Sequence, residues 1–417
     1  MRLALRMGSG LVWVVAALVM LAAPWLFPGG FALTLLTQMG TFIIFALSYN
    51  MLLGQGGMLS FGHAVYSGLG AYVTVHALNA FAQAKGIVTP VPLLPLVGGL
   101  AGLFFGVIFG YVTTKRAGTT FAMISLGIGE MVYACVLMFP GFFGGEAGIS
   151  TNRTVGAPLF GVTFGPAIQV YYLVAAWCLA CMIAMYALTQ TPLGRMANAV
   201  RDNPERAEFV GYDTQRVRFL QLVLSAFFAG VSGGLSCINF EIVSAENVSA
   251  LRSGGVLLAT FIGGIPFFFG PVLGAIIFVF FVAALSGFTK AWLLYLGLFF
   301  CAMVLYAPGG VASLLLMQIP AIRAGRFGRL VPGYAAAGLA ALVALAGLVG
   351  IVESVYRLSD ITAGTTMEIL GHEVDARDPA LWAASVLLLM VGLVLLRFAG
   401  RFAVTRWDAV QAELKAR

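Results

Sequence analysis

The chain has 417 residues, of which 61% are hydrophobic and 9% charged, and its mean hydropathy is +0.99. A soluble domain carries about 25% charged residues, so this composition cannot cover a water-facing surface and describes a polytopic membrane protein. The net charge of +7 does not point to nucleic acid, because the basic residues sit in short clusters between apolar runs and read as topology signals. The five cysteines, Cys135, Cys178, Cys181, Cys237 and Cys301, all lie inside apolar runs. Cys178 and Cys181 form a C-x-x-C with no His or acid nearby, and read as small buried hydrophobes rather than a redox or metal pair.

Arg2 and Arg6 precede an apolar run over 11–27. No small-x-small cleavage pattern precedes Pro24, so the run reads as an uncleaved first helix rather than a signal peptide. A second span covers 31–53, and a Gly-rich segment, Gly54-Gln55-Gly56-Gly57-Met58-Leu59-Ser60-Phe61-Gly62-His63, leads into a third that ends near 82. Spans at 92–114, 119–139 and 166–188 follow, the last after a Gly-rich loop at 140–165. Beyond a polar stretch at 191–219 come 220–240, 251–271, 272–287 and 292–317, with 251–287 readable as two spans or as one re-entrant hairpin. Two more spans, 334–351 and 380–396, flank an acidic loop with Glu353, Asp360, Glu368, Glu373, Asp375 and Asp378. The expected fold is an all-α transmembrane helical bundle. About ten core helices fill 1–317, and an extension over 318–417 adds two.

With twelve spans and both termini cytoplasmic, the Lys and Arg residues fall mainly inside. Only Lys85, Arg153, Arg252, Lys290, Arg357 and Arg377 of the 23 fall outside, the asymmetry that the positive-inside rule expects.

The polar stretch TPLGRMANAVRDNPERAEFVGYDTQRVRF holds five arginines and four acids, too polar to sit in hydrocarbon. Asn203 reads as a helix cap, Pro204 as the first helical position, Glu205 as a first-turn acid and Gly211 as a C-terminal stop. The expectation is a short surface helix, either docked on a partner or a plain solvated loop.

No catalytic motif is present. The four lysines follow Ala84, Thr114, Thr289 and Leu414, so no P-loop can be written. His63, His76 and His372 lack metal spacing, and the single G-x-S-x-G match, Gly230-Val231-Ser232-Gly233-Gly234, lies inside the apolar run 220–240 rather than at a strand-to-helix turn. Glu130 lies deep in an apolar run, where a carboxylate either serves a polar path or makes an interhelical hydrogen bond. The Gly54–His63 segment, with Gln55, Gly56, Gly57, Ser60 and His63, and a second break at Gly263-Gly264-Ile265-Pro266 are each either plain loops or unwound backbone on a translocation path.

Three stretches resemble the permease subunits of ABC importers of the branched-chain amino acid class. ALSYNMLLGQGGMLSFGHAVYSGLGAY at 46–72 looks like that family's Asn-Leu-x-x-Gly-x-x-Gly-x-x-Ser-x-Gly-His pattern. The 191–219 stretch and the helix after it are similar to the coupling loop, with Glu205, Ala207 and Gly211 at its acid, alanine and glycine, and Arg206 where a small residue is common. FIGGIPFFFGPVLGAIIF at 261–278 and Tyr306-Ala307-Pro308-Gly309-Gly310 look like the closing motifs, with Ala307 in place of an arginine. The match covers about 31–317.

The resemblance implies a multi-pass permease of the cytoplasmic (inner) membrane that imports amino acids, branched-chain ones first, with urea or short amides as other solutes. It implies no enzyme activity and no cofactor on this chain. ATP would act on two cytoplasmic ATPase subunits, beside a homologous second permease, an extracytoplasmic binding protein and membrane lipid. Arg201, Asn203, Glu205, Ala207 and Gly211 would contact the ATPase. Gln55, Gly56, Gly57, Ser60, His63, Glu130, Gly263 and Gly264 would line the path. The rival from another class is an ion-coupled transporter using Glu130.

Overall fold

The computed structural model describes residues 9–83, 90–154, 162–359, 366–369 and 372–415. Arg2, Arg6, Lys85 and Asp360, which entered the reading of topology and of the acidic loop, lie outside these. The chain divides into two compact units, Met1–Ala284 with Phe300–Ala312, and Leu285–Phe299 with Ser313–Arg417.

The first unit opens with α1 (Ser9–Leu26) and α2 (Gly30–Asn50), which runs into one π-turn at Met51–Gln55 before α3 (Ala64–Gln83). α4 (Leu94–Thr113), α5 (Gly118–Met138) and the short α6 (Pro140–Phe143) follow. β1 (Ile149–Ser150) then precedes α7 (Ala167–Gln190). The polar stretch folds as two helices, α8 (Pro192–Asp202) and α9 (Pro204–Phe209), where the sequence suggested one. α10 (Thr214–Phe240) leads to β2 (Ile242–Val243), which pairs antiparallel with β1. After a 3-10 turn at Ala245–Val248 come α11 (Ala250–Gly263) and α12 (Gly270–Val279).

α10 is the axis of this unit. Its most apolar window is 89% buried, against 33–44% for the other candidate spans of the unit. It packs against α2, α3 and α4, and small residues explain how closely. Gly230 backs onto Gly98 and Gly102, while Gly233 sits against the Ser67 carbonyl, so a methyl group at either position would strike backbone. Without a hydrophobic drive between helices in lipid, such close packing and interhelical hydrogen bonds hold the bundle. Two such bonds run from α10 to α2, where Ser225 Oγ donates to the Ser48 carbonyl at 2.6 Å and Ser232 Oγ to that of Thr41 at 2.8 Å.

The second unit is built on α15 (Val331–Ser359) and α16 (Pro379–Lys415), joined by the hairpin of β3 (Thr366–Ile369) and β4 (His372–Asp375). The helices lie antiparallel, Gly347 against Leu389, Gly392 against Ala344 and Gly333 against Ala403. Glu353 on α15 accepts hydrogen bonds from Thr289 Oγ1 at 2.6 Å and Tyr295 Oη at 2.9 Å. Arg326 and Arg329 both pair with Glu413 near the end of α16, Arg329 at 2.7 Å. Between α12 and α15 the chain forms α13 (Trp292–Tyr306) and α14 (Gly310–Arg323), bent by 47° at their junction.

Among the described residues, eight helices are long and apolar enough to cross a membrane, or nine with the bent pair as one span. The remaining three of the twelve expected spans correspond to α1, α3 and α11. α1 and α11 are shorter, and α3 carries Tyr66, Ser67, Tyr72, Thr74, His76 and Asn79. At 14 residues, α11 is about 21 Å long against a hydrocarbon core of about 30 Å. The 251–287 stretch therefore holds a helix about two thirds of the length needed to cross, followed by a tight turn and α12.

Candidate coupling loop and translocation path

α8 starts where Thr191 and Pro192 meet: the threonine Oγ1 accepts from Gly194 N at 3.3 Å and Pro192 takes the first helical position. Leu193, Met196, Ala197 and Val200 fall on one face and pack with Ala207 and Val217 into a small core of their own. This amphipathic spacing was present in the sequence and is the signal by which α8 could have been found.

α9 is built as a capped peg. Asn203 Oδ1 accepts from Arg206 N at 2.9 Å, and Pro204 opens the helix. Gly211 ends it at φ +92°, a conformation that favours glycine, while Tyr212 N reaches back to the Ala207 carbonyl at 3.1 Å. Thr214 Oγ1 donates to Glu208 Oε1 at 2.7 Å and ties the peg to the start of α10. Ala207 faces inward, whereas Glu205 and Gly211 are exposed. The tip is apolar: Phe209 is 91% exposed, Val210 71% and Tyr212 45%.

Arg201 carries the coupling loop to the first break. Its Nη1 donates to the Gly54 carbonyl, and its stem lies over Gly57, whose φ is +65°. Asp202 holds the guanidinium from the other side at 2.8 Å. Gln221 on α10 supports the same turn, its Nε2 donating to the Met51 carbonyl at 2.8 Å and lying 3.5 Å from Gln55 Oε1.

The rest of the break turns back into the bundle. Ser60 is buried, and its carbonyl accepts from Tyr49 Oη at 3.0 Å. His63 is wholly buried among the rings of Phe45, Tyr49 and Tyr66, with Nε2 3.0 Å from Ser48 Oγ and Nδ1 without a partner. The second break meets the first, since a Cβ on Gly54 would come within 2.9 Å of the Ile265 carbonyl oxygen. Gly263 backs onto Gly270, and Gly264, at φ +114°, backs onto Gly309 and Gly310. Two breaks far apart in sequence, the 306–310 segment and the coupling loop thus form one continuous patch.

Glu130 stands apart from that patch, exposed on α5. Arg252, counted with the outer loops in the sequence, belongs instead to α11, where its Nε is sealed from solvent. Among the described residues no group of His, Cys, Asp or Glu is arranged to hold a metal.

Unwound backbone sheltered inside a multi-pass helical bundle, with a rigid polar loop against it, is the architecture of a membrane permease. The chain belongs to the family described as branched-chain amino acid transport system / permease component, whose profile matches residues 31–308. It is 27% identical over 329 residues to the high-affinity branched-chain amino acid transport system permease protein LivM of Escherichia coli, covering 73% of this chain and 76% of that protein. The probable branched-chain amino acid transport permease protein LivH of Methanocaldococcus jannaschii is 24% identical over 237 residues, 56% of this chain and 74% of its own. The fructose import permease protein FrcC of Rhizobium meliloti is 27% identical over 197 residues, 44% of this chain and 53% of its own. No solved structure matches the chain.

Proposed function

We propose that this chain is one permease of an ATP-driven importer in the inner membrane, and that it moves branched-chain amino acids. The observation that carries the reading is the α9 peg. Large apolar side chains are rarely left in water unless something covers them, and Phe209, Val210 and Tyr212 stand exposed at the carboxyl end of a capped helix. A cytoplasmic ATPase subunit is the occupant that the family relationship supports, with the coupling loop and both termini on the cytoplasmic side. ATP is bound and hydrolysed by two such subunits, and this chain needs no cofactor. A second permease completes the path, and an extracytoplasmic protein delivers the solute. The amino acid solute is supported by the LivM and LivH relatives; FrcC shows that sequences this similar also serve a sugar.

Closure of the ATPases pushes α9. Because Arg201 grips the Gly54 carbonyl, the push reaches the first break, and through Gly54 and Ile265 the second. The breaks can change conformation with few regular helical hydrogen bonds to lose, which suits alternating access.

Co-purification in mild detergent tests this. The wild-type chain is expected to bring down a P-loop ATPase and a second permease. Phe209→Ser with Val210→Ser should release the ATPase while leaving the chain folded, and Gly211→Asp should uncouple uptake from ATP hydrolysis. Retention of the ATPase by the Phe209/Val210 double variant would sink the docking assignment.

A further inference from the structure

α16 is longer than a membrane is thick, and its cations stand where it leaves the apolar layer. It holds 37 residues, about 55 Å against a hydrocarbon core of about 30 Å. Residues 379–396 carry no charge and rise about 27 Å. Arg397, Arg401 and Arg406 come next, all exposed. They continue the outward face of the helix. Val386, Met390 and Leu393 lead at helical spacing to Arg397 and Arg401, while Leu387, Val391 and Val394 lead to Phe398 and Phe402. Each of these apolar side chains is at least 40% exposed. The opposite face is the packed one: Gly392 rests on Ala344 and Ala403 on Gly333, and Trp407 and Val410 form a small core with Ala321 and Leu330.

The cations at this end divide by partner. Arg326 and Arg329 are answered by Glu413, whereas Arg397, Arg401 and Arg406 form no ion pair among the described residues. Orientation in the membrane needs only basic charge near the end of a span. Here three arginines stand beside exposed rings on the face turned away from the protein. Helical side chains lean toward the amino end of their helix, which for α16 is toward the apolar segment. Arg406 shows the lean, its Cζ lying 5.0 Å from the centroid of the Phe402 ring. The polar layer of a bilayer is about 5–8 Å thick on each side, so Arg397, Arg401 one turn further on and the folded-back Arg406 all reach it. A guanidinium fork matches the oxygens of a phosphate, and lipid offers phosphates directly above acyl chains that suit the exposed apolar face.

We propose that Arg397, Arg401 and Arg406 form a binding site for the phosphate groups of anionic phospholipids in the leaflet on the carboxyl-terminal side, with the acyl chains lying along Phe398 and the apolar face of α16. The site belongs to the extension, beyond the stretch at 31–308 that the family profile matches. It sets the depth of α16 in the membrane and does not depend on which solute the chain moves.

The test uses the full chain, purified with its co-eluting subunits and freed of native lipid in detergent. It is titrated with dioleoylphosphatidylglycerol or dioleoylphosphatidylcholine, and bound lipid is counted by native mass spectrometry. A basic residue at an anionic lipid surface corresponds to about fivefold in affinity. Wild-type protein should bind the phosphatidylglycerol roughly tenfold or more tightly than the phosphatidylcholine. Arg397→Gln with Arg401→Gln should lower the phosphatidylglycerol affinity roughly 25-fold and close most of the gap between the lipids. Arg397→Lys with Arg401→Lys should recover most of the loss, and failure to recover would overturn the assignment by showing that structure rather than charge was lost. Arg357→Gln with Arg377→Gln removes the same charge at the other end of the helix pair and should leave the affinity within about twofold. Equal wild-type affinity for the two lipids, or equal losses in the two glutamine variants, would overturn the proposal, the second by reducing it to net charge. Displacement of bound lipid by glycerophosphoglycerol, the headgroup without acyl chains, would make this a site for soluble phosphates instead. Loss of the co-eluting subunits from the Arg397/Arg401 glutamine variant would overturn it as well, by making the arginines a protein contact.

Discussion

Arg153 shows how a single side chain can hold a loop layer together. Its Nε donates to the Phe164 carbonyl at 2.7 Å, Nη1 to that of Ile238 at 3.1 Å, and the guanidinium lies 3.6 Å from Glu241. Glu241 sits in a left-handed conformation at φ 56°, where a non-glycine residue is strained, and its carboxylate accepts from Arg153 N at 2.9 Å. Arg153→Ala removes several charge-assisted bonds at a partly buried site and is expected to cost about 2–4 kcal/mol, read as a lower thermal midpoint of the purified chain. Asn203→Ala removes only a cap and is expected to cost about 1 kcal/mol, with α9 fraying detectable by hydrogen exchange at Arg206. At this scale the sequence was informative where the signal is local. Asn203, Pro204 and Gly211 could be placed because capping depends on neighbours a few residues away. Arg153 and Arg252 could not, because their roles depend on carbonyls and rings contributed by distant segments.

Among the elements, the pair α8 and α9 with the π-turn after α2 would form the mechanical joint of the proposed mechanism. The spacing of Leu193, Met196, Ala197 and Val200 made α8 legible, yet the high charge of the stretch masked it. The approach of Gly54 to Ile265 was not legible at all, since glycine marks a possible close contact without naming the other side. Arg201 provides the direct test of the joint. Arg201→Ala leaves the apolar core under α8 intact, so the complex should still assemble and hydrolyse ATP. Uptake per ATP should fall severalfold, measured in proteoliposomes as the ratio of solute moved to phosphate released. An unchanged ratio would show that the Gly54 contact is not the transmission point.

For the whole molecule, apolar composition and span lengths were enough to establish an all-α membrane bundle, because hydrocarbon permits few alternatives. Hydropathy could not rank the helices by depth: α10 and α16 both read as spans, yet their windows are 89% and 11% buried. Burial depends on which faces carry glycine and serine, a pattern that gains meaning only once the opposing helix is known. The exposed second unit predicts a division of tolerance. Single Leu→Gln changes at Leu339, Leu387 or Leu393, all well exposed, should leave ATPase co-purification intact. Gly230→Leu or Gly233→Leu should abolish accumulation of folded protein, as judged by detergent-extracted yield.

α10 joins two places otherwise discussed separately. Asp213 caps its first turn, receiving a bond from Arg216 N at 3.1 Å, directly after the α9 peg. Its last residues, Ile238 and Asn239, supply carbonyls to Arg153. Over 27 residues it spans about 40 Å without an interior proline. If the chain works as proposed, events at its two ends are bound by reciprocity: by whatever factor nucleotide on the ATPases alters the grip of the far loops on a delivering protein, that protein's arrival must alter nucleotide affinity by the same factor. Delivery and energising would be two readings of one equilibrium.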